Sequence, residues 1–143
     1  MNREIKFRAK RVDKEEFAFG DLLTGMGYKK GKFFILPHLS YYPSDCYSVD
    51  GYEVKPETIG QYTGLKDKNG KEIYEGDIIR SFDSNDDAIL HYIVWEEARF
   101  VALYKGRYFR SKCFLKQDWL DEYDKEVIGN IYDNKNLLGE VEL

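Results

Sequence analysis

Residues 61–79 read QYTGLKDKNGKEIYEGDII, and this stretch carries the strongest structural signal in the chain. Two runs rich in strand-forming residues flank Asp67-Lys68-Asn69-Gly70. An Asn-Gly pair supplies the two positive-φ positions of a primed hairpin turn, so the sequence predicts a tight reversal between two strands. Glu75-Gly76-Asp77 then predicts a second turn, with Asp77 accepting backbone hydrogen bonds.

Strand signals also occur upstream of this hairpin. Apolar and basic side chains alternate over residues 5–10 (IKFRAK), the period-two pattern of a strand with one buried and one solvated face. Residues 32–36 predict a second strand, which Pro37 ends, and residues 37–51 have the composition of a long loop. Residues 54–62 predict an extended segment whose start is confined to a sheet edge by Pro56.

Downstream of residue 76, five apolar runs predict short strands with turns at a spacing typical of a small barrel. They cover residues 78–82, 88–95, 100–104, 108–115 and 126–132. A short helical segment is predicted at 117–123. The predicted fold is therefore mainly β (a β-rich α+β fold) with one or two short helical turns. Its N-terminal β-hairpin lobe spans 1–60, and a hairpin with a C-terminal, SH3-like small barrel spans 61–143.

Composition agrees with this prediction. Of 143 residues, 43% are hydrophobic and 16% aromatic, with 12 Tyr and 9 Phe, which favour half-buried sheet surfaces. No apolar run approaches the roughly 20 residues of a membrane-spanning helix. The start, residues 1–6 (MNREIK), lacks the apolar core of a signal peptide. We therefore expect a cytoplasmic protein with no membrane partner.

Charge is distributed unevenly along the chain. The formal net charge is −4, but residues 118–143 carry eight acids and two bases, a net of −6, which leaves +2 for residues 1–117. The basic residues Lys6, Arg8, Lys10 and Arg11 near the N-terminus form a candidate contact for anions or nucleic acid. A solvated strand face beside a complementary acidic surface is the favoured interpretation, because such stripes are common on protein surfaces.

Three blocks of sequence resemble the YopX family, small proteins encoded by phages and prophages of bacteria. They are residues 3–9 (REIKFRA), the quoted residues 61–79, and residues 127–134 (VIGNIYDN). Lys10 departs from the family, which often has Trp there, and the loop at 37–51 aligns with nothing in it. The resemblance implies a mixed, β-rich fold with a small barrel toward the C-terminus. It implies no activity, cofactor or site residue.

The residues that could hold a metal or act as a nucleophile are scattered. They are His38, Cys46, His91 and Cys113. Structural zinc sites use closely spaced ligand pairs, so the spacing argues against a site built from all four. A cytoplasmic setting argues against a disulfide, and a Cys113–His91 nucleophile pair lacks an orienting acid. We predict no cofactor, no metal and no enzymatic activity.

An acidic segment has the first three ligand spacings of a calcium loop, at Asp83, Asn85 and Asp87. A calcium loop also requires Gly at its sixth position and Glu at its twelfth, where this chain has Ala88 and Val94. The mismatch favours a solvated hairpin loop.

Taken together, these features predict a non-enzymatic phage or prophage accessory protein that acts by binding and forms a homo-oligomer. The homo-oligomer is predicted from an aromatic surplus, which a small barrel cannot bury beside its own Trp95, Phe100 and Tyr104. The surplus consists of Phe33, Phe34, Tyr41, Tyr42, Tyr47 and Tyr52. A host or phage protein is the other expected partner. The alternatives are nucleic-acid binding in phage replication or regulation through the basic N-terminal strand, and a hydrolase or metal enzyme.

Overall fold

A computed structural model describes residues 3–37, 51–105 and 110–139. It divides into two compact units, Met1–Tyr62 and Thr63–Leu143. The described residues form eleven strands in two sheets and one short α-helix, α1 (Gln117–Asp121). The predicted mainly β class is therefore confirmed.

The first unit is a sheet with the strand order β4-β3-β2-β1-β5. Its strands are β1 (Phe7–Lys10), β2 (Phe17–Thr24), β3 (Phe33–Leu36), β4 (Tyr52–Val54) and the start of β5 (Gly60–Lys66). The prediction of one continuous extended segment over residues 54–62 is wrong. A 3₁₀ turn at Pro56–Thr58 interrupts it, because proline suits the first position of a helical turn, where its missing N–H is not needed.

The sheet of the first unit curls so that β4 meets the end of β1. The Lys55 amide donates to the Lys10 carbonyl (2.8 Å), and the Val12 amide donates to the Glu53 carbonyl (3.0 Å). The enclosed core is apolar and consists of Ala9, Ala18, Ile35 and Val54, with Phe7, Leu22, Phe33 and Ile59 packed against it. The buried face predicted from the alternation is confirmed at residues 7 and 9 but is wrong at Ile5, which precedes β1 and is 51% exposed.

The second unit is built on an antiparallel sheet with the order β10-β9-β8-β7-β11. Its strands are β7 (Asp77–Phe82), β8 (Ala88–Glu96), β9 (Arg99–Lys105), β10 (Arg110–Phe114) and β11 (Glu126–Asn130). The five predicted strands and the helix near 117–123 are thus confirmed. The predicted SH3-like closure is not confirmed, because among the described residues β10 and β11 are open edges.

The apolar face of this open sheet is covered by elements outside it. Ile73, from β6 (Glu72–Tyr74), and Leu120, from α1, are both fully buried in the core of this unit. They pack with Ile79, Ile93, Ala102 and Val127, and Trp119 lies against the same cluster. Because these elements exclude water from the face, the sheet can bury its apolar side without closing into a barrel.

The hairpin turn between β5 and β6 differs from the predicted primed turn. The Gly70 amide donates to the Asp67 carbonyl (3.0 Å), and Gly70 has a φ of +77°, whereas Asn69 has no positive φ. The Asp67 carboxylate accepts hydrogen bonds from the amides of Asn69 and Lys71, both at 2.9 Å. A four-residue turn followed by a left-handed glycine results, because the aspartate side chain stabilises its first position.

The second predicted turn is confirmed. The Asp77 carboxylate accepts a hydrogen bond from the Tyr74 amide (2.8 Å), and Gly76 has a φ of +86°. The Gly76 amide donates to the Ile93 carbonyl and its own carbonyl accepts from Ile131, both at 2.8 Å. Gly76 therefore joins two separate segments of this unit through its backbone.

Asparagine side chains end β11. Asn130 Oδ1 accepts from the amides of Tyr132 (3.0 Å) and Asp133 (2.9 Å), and Asn134 Oδ1 accepts from the Asn130 amide (3.1 Å). These bonds turn the chain two residues before the predicted strand end.

No helix in the described ranges is long and apolar enough to cross a membrane.

Candidate functional site

The basic residues of β1 are not the solvated face that the alternation predicts. Arg8 and Lys10 are each only 5% exposed. The Arg8 guanidinium carbon lies 4.4 Å, and the Lys10 ammonium 4.5 Å, from the centre of the Phe17 ring. Phe17 lies directly across from Lys10 on β2, so its ring covers both cations, an arrangement that cation–π attraction stabilises.

The other two candidate cations are held by acidic neighbours. Arg11 donates to both carboxylate oxygens of Asp13 (2.8 and 2.7 Å) and to Glu16 (2.9 Å). The Asp13 hydrogen bond raises the pKa of Arg11. Lys6 lies 3.2 Å from a Glu4 oxygen. The role of these four residues in binding anions stays a prediction, and they do not form an exposed cationic row.

Two of the four candidate metal ligands, His38 and Cys46, lie outside the described residues. Of the others, His91 is buried on β8 and Cys113 packs against the core from β10. In the described parts of the chain, no three His, Cys, Asp or Glu side chains are grouped closely enough to hold a metal ion.

The segment with the spacing of a calcium loop forms the β7–β8 turn. Asp83 Oδ1 accepts hydrogen bonds from the Asn85 and Asp87 amides (2.8 and 3.0 Å), which confirms the hairpin-loop interpretation.

The open edge at β10 presents backbone groups that β9 does not use. The Leu115 amide donates to the Phe100 carbonyl (3.3 Å), and the register places Cys113 opposite Ala102. In an antiparallel pair, hydrogen-bonded and non-hydrogen-bonded positions alternate, so the N–H and C=O groups of Lys112 and Phe114 point away from β9. Both residues are exposed. An edge of this kind is a template for another strand.

Aromatic side chains are exposed beside this edge. Phe114 is 49% exposed and Trp95 is 53% exposed, while the ring of Phe100 lies 4.8 Å from that of Trp95. The prediction that Trp95 belongs to the core is wrong, because Trp95 is the penultimate residue of β8 and lies outside the core cluster of this unit. Arg99 stacks on Phe114 at 4.4 Å.

A groove of about 470 Å³ adjoins the same edge. Its lining combines aromatic, aliphatic and charged side chains: Thr63, Leu65, Glu97, Ala98, Arg99, Phe100, Phe114, Leu115 and Lys116. We call the open side of β10 together with this groove and Trp95 the β10 edge surface. Everything in it belongs to the second unit, and its residues come from three separate stretches of sequence.

The β10 edge surface is cationic. The Lys112 ammonium nitrogen lies 2.9 Å from a carboxylate oxygen of Glu96 and 3.6 Å from one of Glu97. The hydrogen bond to Glu96 raises the pKa of Lys112. Glu97, which lines the groove, is therefore already engaged. Among the described residues, Arg99 and Lys116 have no carboxylate partner. Two cations that line the groove are thus available to an acidic ligand.

Comparison with known proteins places the chain in a family. The family model described as YopX protein matches residues 6–139. The chain belongs to the YopX family. The resemblance predicted from the three blocks is therefore confirmed. None of the curated proteins matches this YopX chain.

A solved structure shares the fold of this YopX protein. It is the crystal structure of protein EF1440 from Enterococcus faecalis, with a TM-score of 0.63 and 24% identity, covering 96% of this chain and 99% of that chain. At this identity the likeness concerns the fold alone.

The sequence alone did not point to the β10 edge surface of this YopX chain. Residues 110–116 show the alternation that separates Lys112 and Phe114 from Cys113 and Leu115. No local pattern shows that β10 has a partner strand on one side only, because strand order depends on pairing between distant segments.

Proposed function

We propose that this YopX-family protein is a non-enzymatic accessory protein of a phage or prophage. In this proposal it binds another protein, whose acidic, extended segment adds as a strand to β10 and places an apolar side chain in the adjoining groove. The observation that supports this most directly is the pair of exposed residues, Lys112 and Phe114, whose backbone groups face away from β9.

Strand addition accounts for the backbone of this edge. An extended peptide that pairs with an exposed strand gains affinity from main-chain hydrogen bonds and specificity from pockets for alternate side chains. The backbone N–H and C=O groups of Lys112 and Phe114, which point away from β9, can form these main-chain hydrogen bonds. The groove beside Phe100 and Phe114 is the side-chain pocket, and its volume of about 470 Å³ can hold a large apolar side chain.

Charge favours an acidic partner. Arg99 and Lys116 line the groove, and its single acid, Glu97, is engaged by Lys112. Opposite charges across an interface speed association and exclude partners of the wrong sign. A second copy of β10 is a poorer occupant, because antiparallel pairing of two identical cationic strands brings like charges together. The predicted homo-oligomer and the nucleic-acid alternative stay predictions, and neither has support from this surface.

The test is selection from a randomised peptide library displayed on messenger RNA. We expect enriched peptides to combine Asp or Glu with alternating apolar residues. A synthetic enriched peptide should bind in a fluorescence polarisation assay, and its backbone N-methylated analogue should lose roughly tenfold or more in affinity, because N-methylation removes the donors that strand addition needs. Library selections without acidic enrichment would contradict the proposal, as would an N-methylated analogue that binds equally well.

Variants locate the binding surface. Phe114→Ala should weaken the peptide by about tenfold, since truncation removes one wall of the groove. The pair Arg99→Glu and Lys116→Glu should reverse the charge preference of the selected peptides. Lys71→Glu, an exposed change in the β5–β6 turn, is the matched control and should leave affinity unchanged. A dimer by light scattering that dissociates on Phe114→Ala would instead assign the surface to a second copy and overturn the proposal.

A further inference from the structure

A second cavity lies at the other end of β8 from the groove. It encloses about 400 Å³ and is lined by residues of the β7–β8 turn and of β8, β9 and β10: Asp83, Asp87, Ala88, Ile89, His91, Tyr104 and Ser111. This volume lies within the range of small-molecule sites. The lining combines an apolar wall with a few polar groups, which is typical of such sites.

His91 is the unusual member of this lining. It is 7% exposed, and its ring lies edge-on to Trp119 (5.1 Å between ring centres) and 5.8 Å from the ring of Tyr104. Its Nδ1 atom is buried and has no hydrogen-bond partner among the described residues. Buried polar atoms in proteins are normally hydrogen-bonded, so a buried nitrogen without a partner beside a cavity indicates a group that the cavity receives.

The protonation state of His91 determines what that group can be. Burial and the neighbouring Lys125 ammonium lower the pKa of His91 to about 4. At neutral pH the imidazole is therefore uncharged and can offer a lone pair to a donor. Of the other side chains near it, Lys125 donates to the Glu122 carbonyl (2.7 Å) and lies over the Trp119 ring, so it is already engaged.

The charge of the cavity determines the sign of the ligand. Asp83 and Asp87 are the charged side chains in its described lining, and no described lysine or arginine lines it. One oxygen of Asp83 accepts two backbone amides of the turn. The two carboxylates outnumber the Lys125 ammonium, which is near His91 but outside the lining, so the cavity attracts cations.

We propose that this cavity binds a small organic cation, an amine or amidine on an apolar body. The cation donates a hydrogen bond to His91 Nδ1 and places its charge against Asp83 and Asp87. The proposal is independent of the peptide surface at β10, because the two share no lining residue.

The test uses benzylamine and benzamidine as cationic probes, with benzyl alcohol and benzoate as uncharged and anionic analogues of similar shape. Titrations are followed by NMR on protein labelled with ¹⁵N in its imidazole rings, and His91→Phe assigns the two histidines. The cationic probes should bind with dissociation constants of about 1 mM or lower. They should shift the Nδ1 resonance of His91, and the two analogues should not.

Variants distinguish binding of the cation in this cavity from non-specific attraction of cations to a negatively charged protein. Asp87→Asn should weaken benzamidine by about threefold or more, through loss of charge complementarity. Asp118→Asn, an exposed acid on α1, should not change affinity. If His91→Phe does not fold, His38→Gln assigns the two histidines instead, and the Asp87→Asn comparison and the Nδ1 shift still decide. Equal binding of benzoate and benzamidine, or no Nδ1 shift up to about 20 mM probe, would overturn the proposal and leave water as the partner of His91.

Discussion

Asp67 and Val127 are joined by a hydrogen bond of 2.9 Å, from the Val127 amide to Asp67 Oδ2, across sixty positions of sequence. The other oxygen of Asp67 accepts the amides of Asn69 and Lys71. One carboxylate, 6% exposed, therefore closes the hairpin turn and positions β11. This contact connects the central and last of the three blocks that identify the family.

Removal of this carboxylate should destabilise the fold strongly. Asp67→Ala should lower the free energy of unfolding by about 3 kcal/mol, because three backbone amides lose a charged acceptor and at least one of them is buried. Asp67→Asn should cost less, since its amide keeps one acceptor oxygen. Urea denaturation measures both, with Asp118→Ala as the exposed control. A loss for Asp67→Ala no larger than that of the control would contradict this role.

Gly76 and Gly70 form a matched pair for a test of sterics. Their φ angles are similar, +86° and +77°, but a Cβ on Gly76 would lie 3.0 Å from Tyr132 Cε2, whereas a Cβ on Gly70 meets nothing within 4 Å. Gly70→Ala should cost about 1 kcal/mol from left-handed strain alone. Gly76→Ala should cost about 1–3 kcal/mol more, from overpacking. Equal losses in urea denaturation would show that the Tyr132 ring moves aside freely.

His91 should make stability depend on pH. Its pKa in the folded state, about 4, lies below the ordinary value of 6.5, so folding favours the neutral ring. The stability it supports is complete above about pH 6.5 and is lost as the pH falls toward 4, by about 3 kcal/mol.

Urea denaturation of the wild type and of His91→Phe across this pH range measures that contribution, because the other titrating groups cancel in the difference. His91→Phe should lose less stability on acidification than the wild type does. Parallel pH profiles for the two proteins would contradict the prediction.

Arg11 should act through its neighbours rather than through nucleic acid. Arg11→Gln breaks the contacts with Asp13 and Glu16 and should lower Tm at low ionic strength, with an effect that shrinks near about 1 M salt as charges are screened. Lys14→Gln is the exposed control and should change Tm less. In polarisation assays with single- and double-stranded DNA, Arg11→Gln should bind as the wild type does. A selective loss of DNA affinity would favour the nucleic-acid alternative.

Local pattern predicted the strands of this protein well. The five strands after residue 76 and the helix near residue 117 are present, because apolar periodicity and turn residues act over a few neighbouring positions. The Asn69-Gly70 turn was predicted in the right place with the wrong geometry. Asp67 decides its form through two backbone hydrogen bonds, and an aspartate at the start of a turn is itself a readable signal.

Burial was predicted less well, for a physical reason that Arg8 and Trp95 illustrate. Alternation shows that Arg8 and Lys10 share a face, but only the structure shows that Phe17 covers it. Alternation also groups Trp95 with His91 and Ile93, but Trp95 is the penultimate residue of β8, lies outside the core cluster and is 53% exposed.

The sequence by itself determined most of the strands, the positions of the turns and the family, because these follow from contacts between near neighbours in the chain and from long blocks of shared residues. Tertiary structure alone decided that β10 is an open edge beside an aromatic groove and that Asp83, His91 and Tyr104 line one cavity. Which strand lies at an edge, and which distant side chains meet, depend on pairing and packing between separate segments, and no local period encodes them.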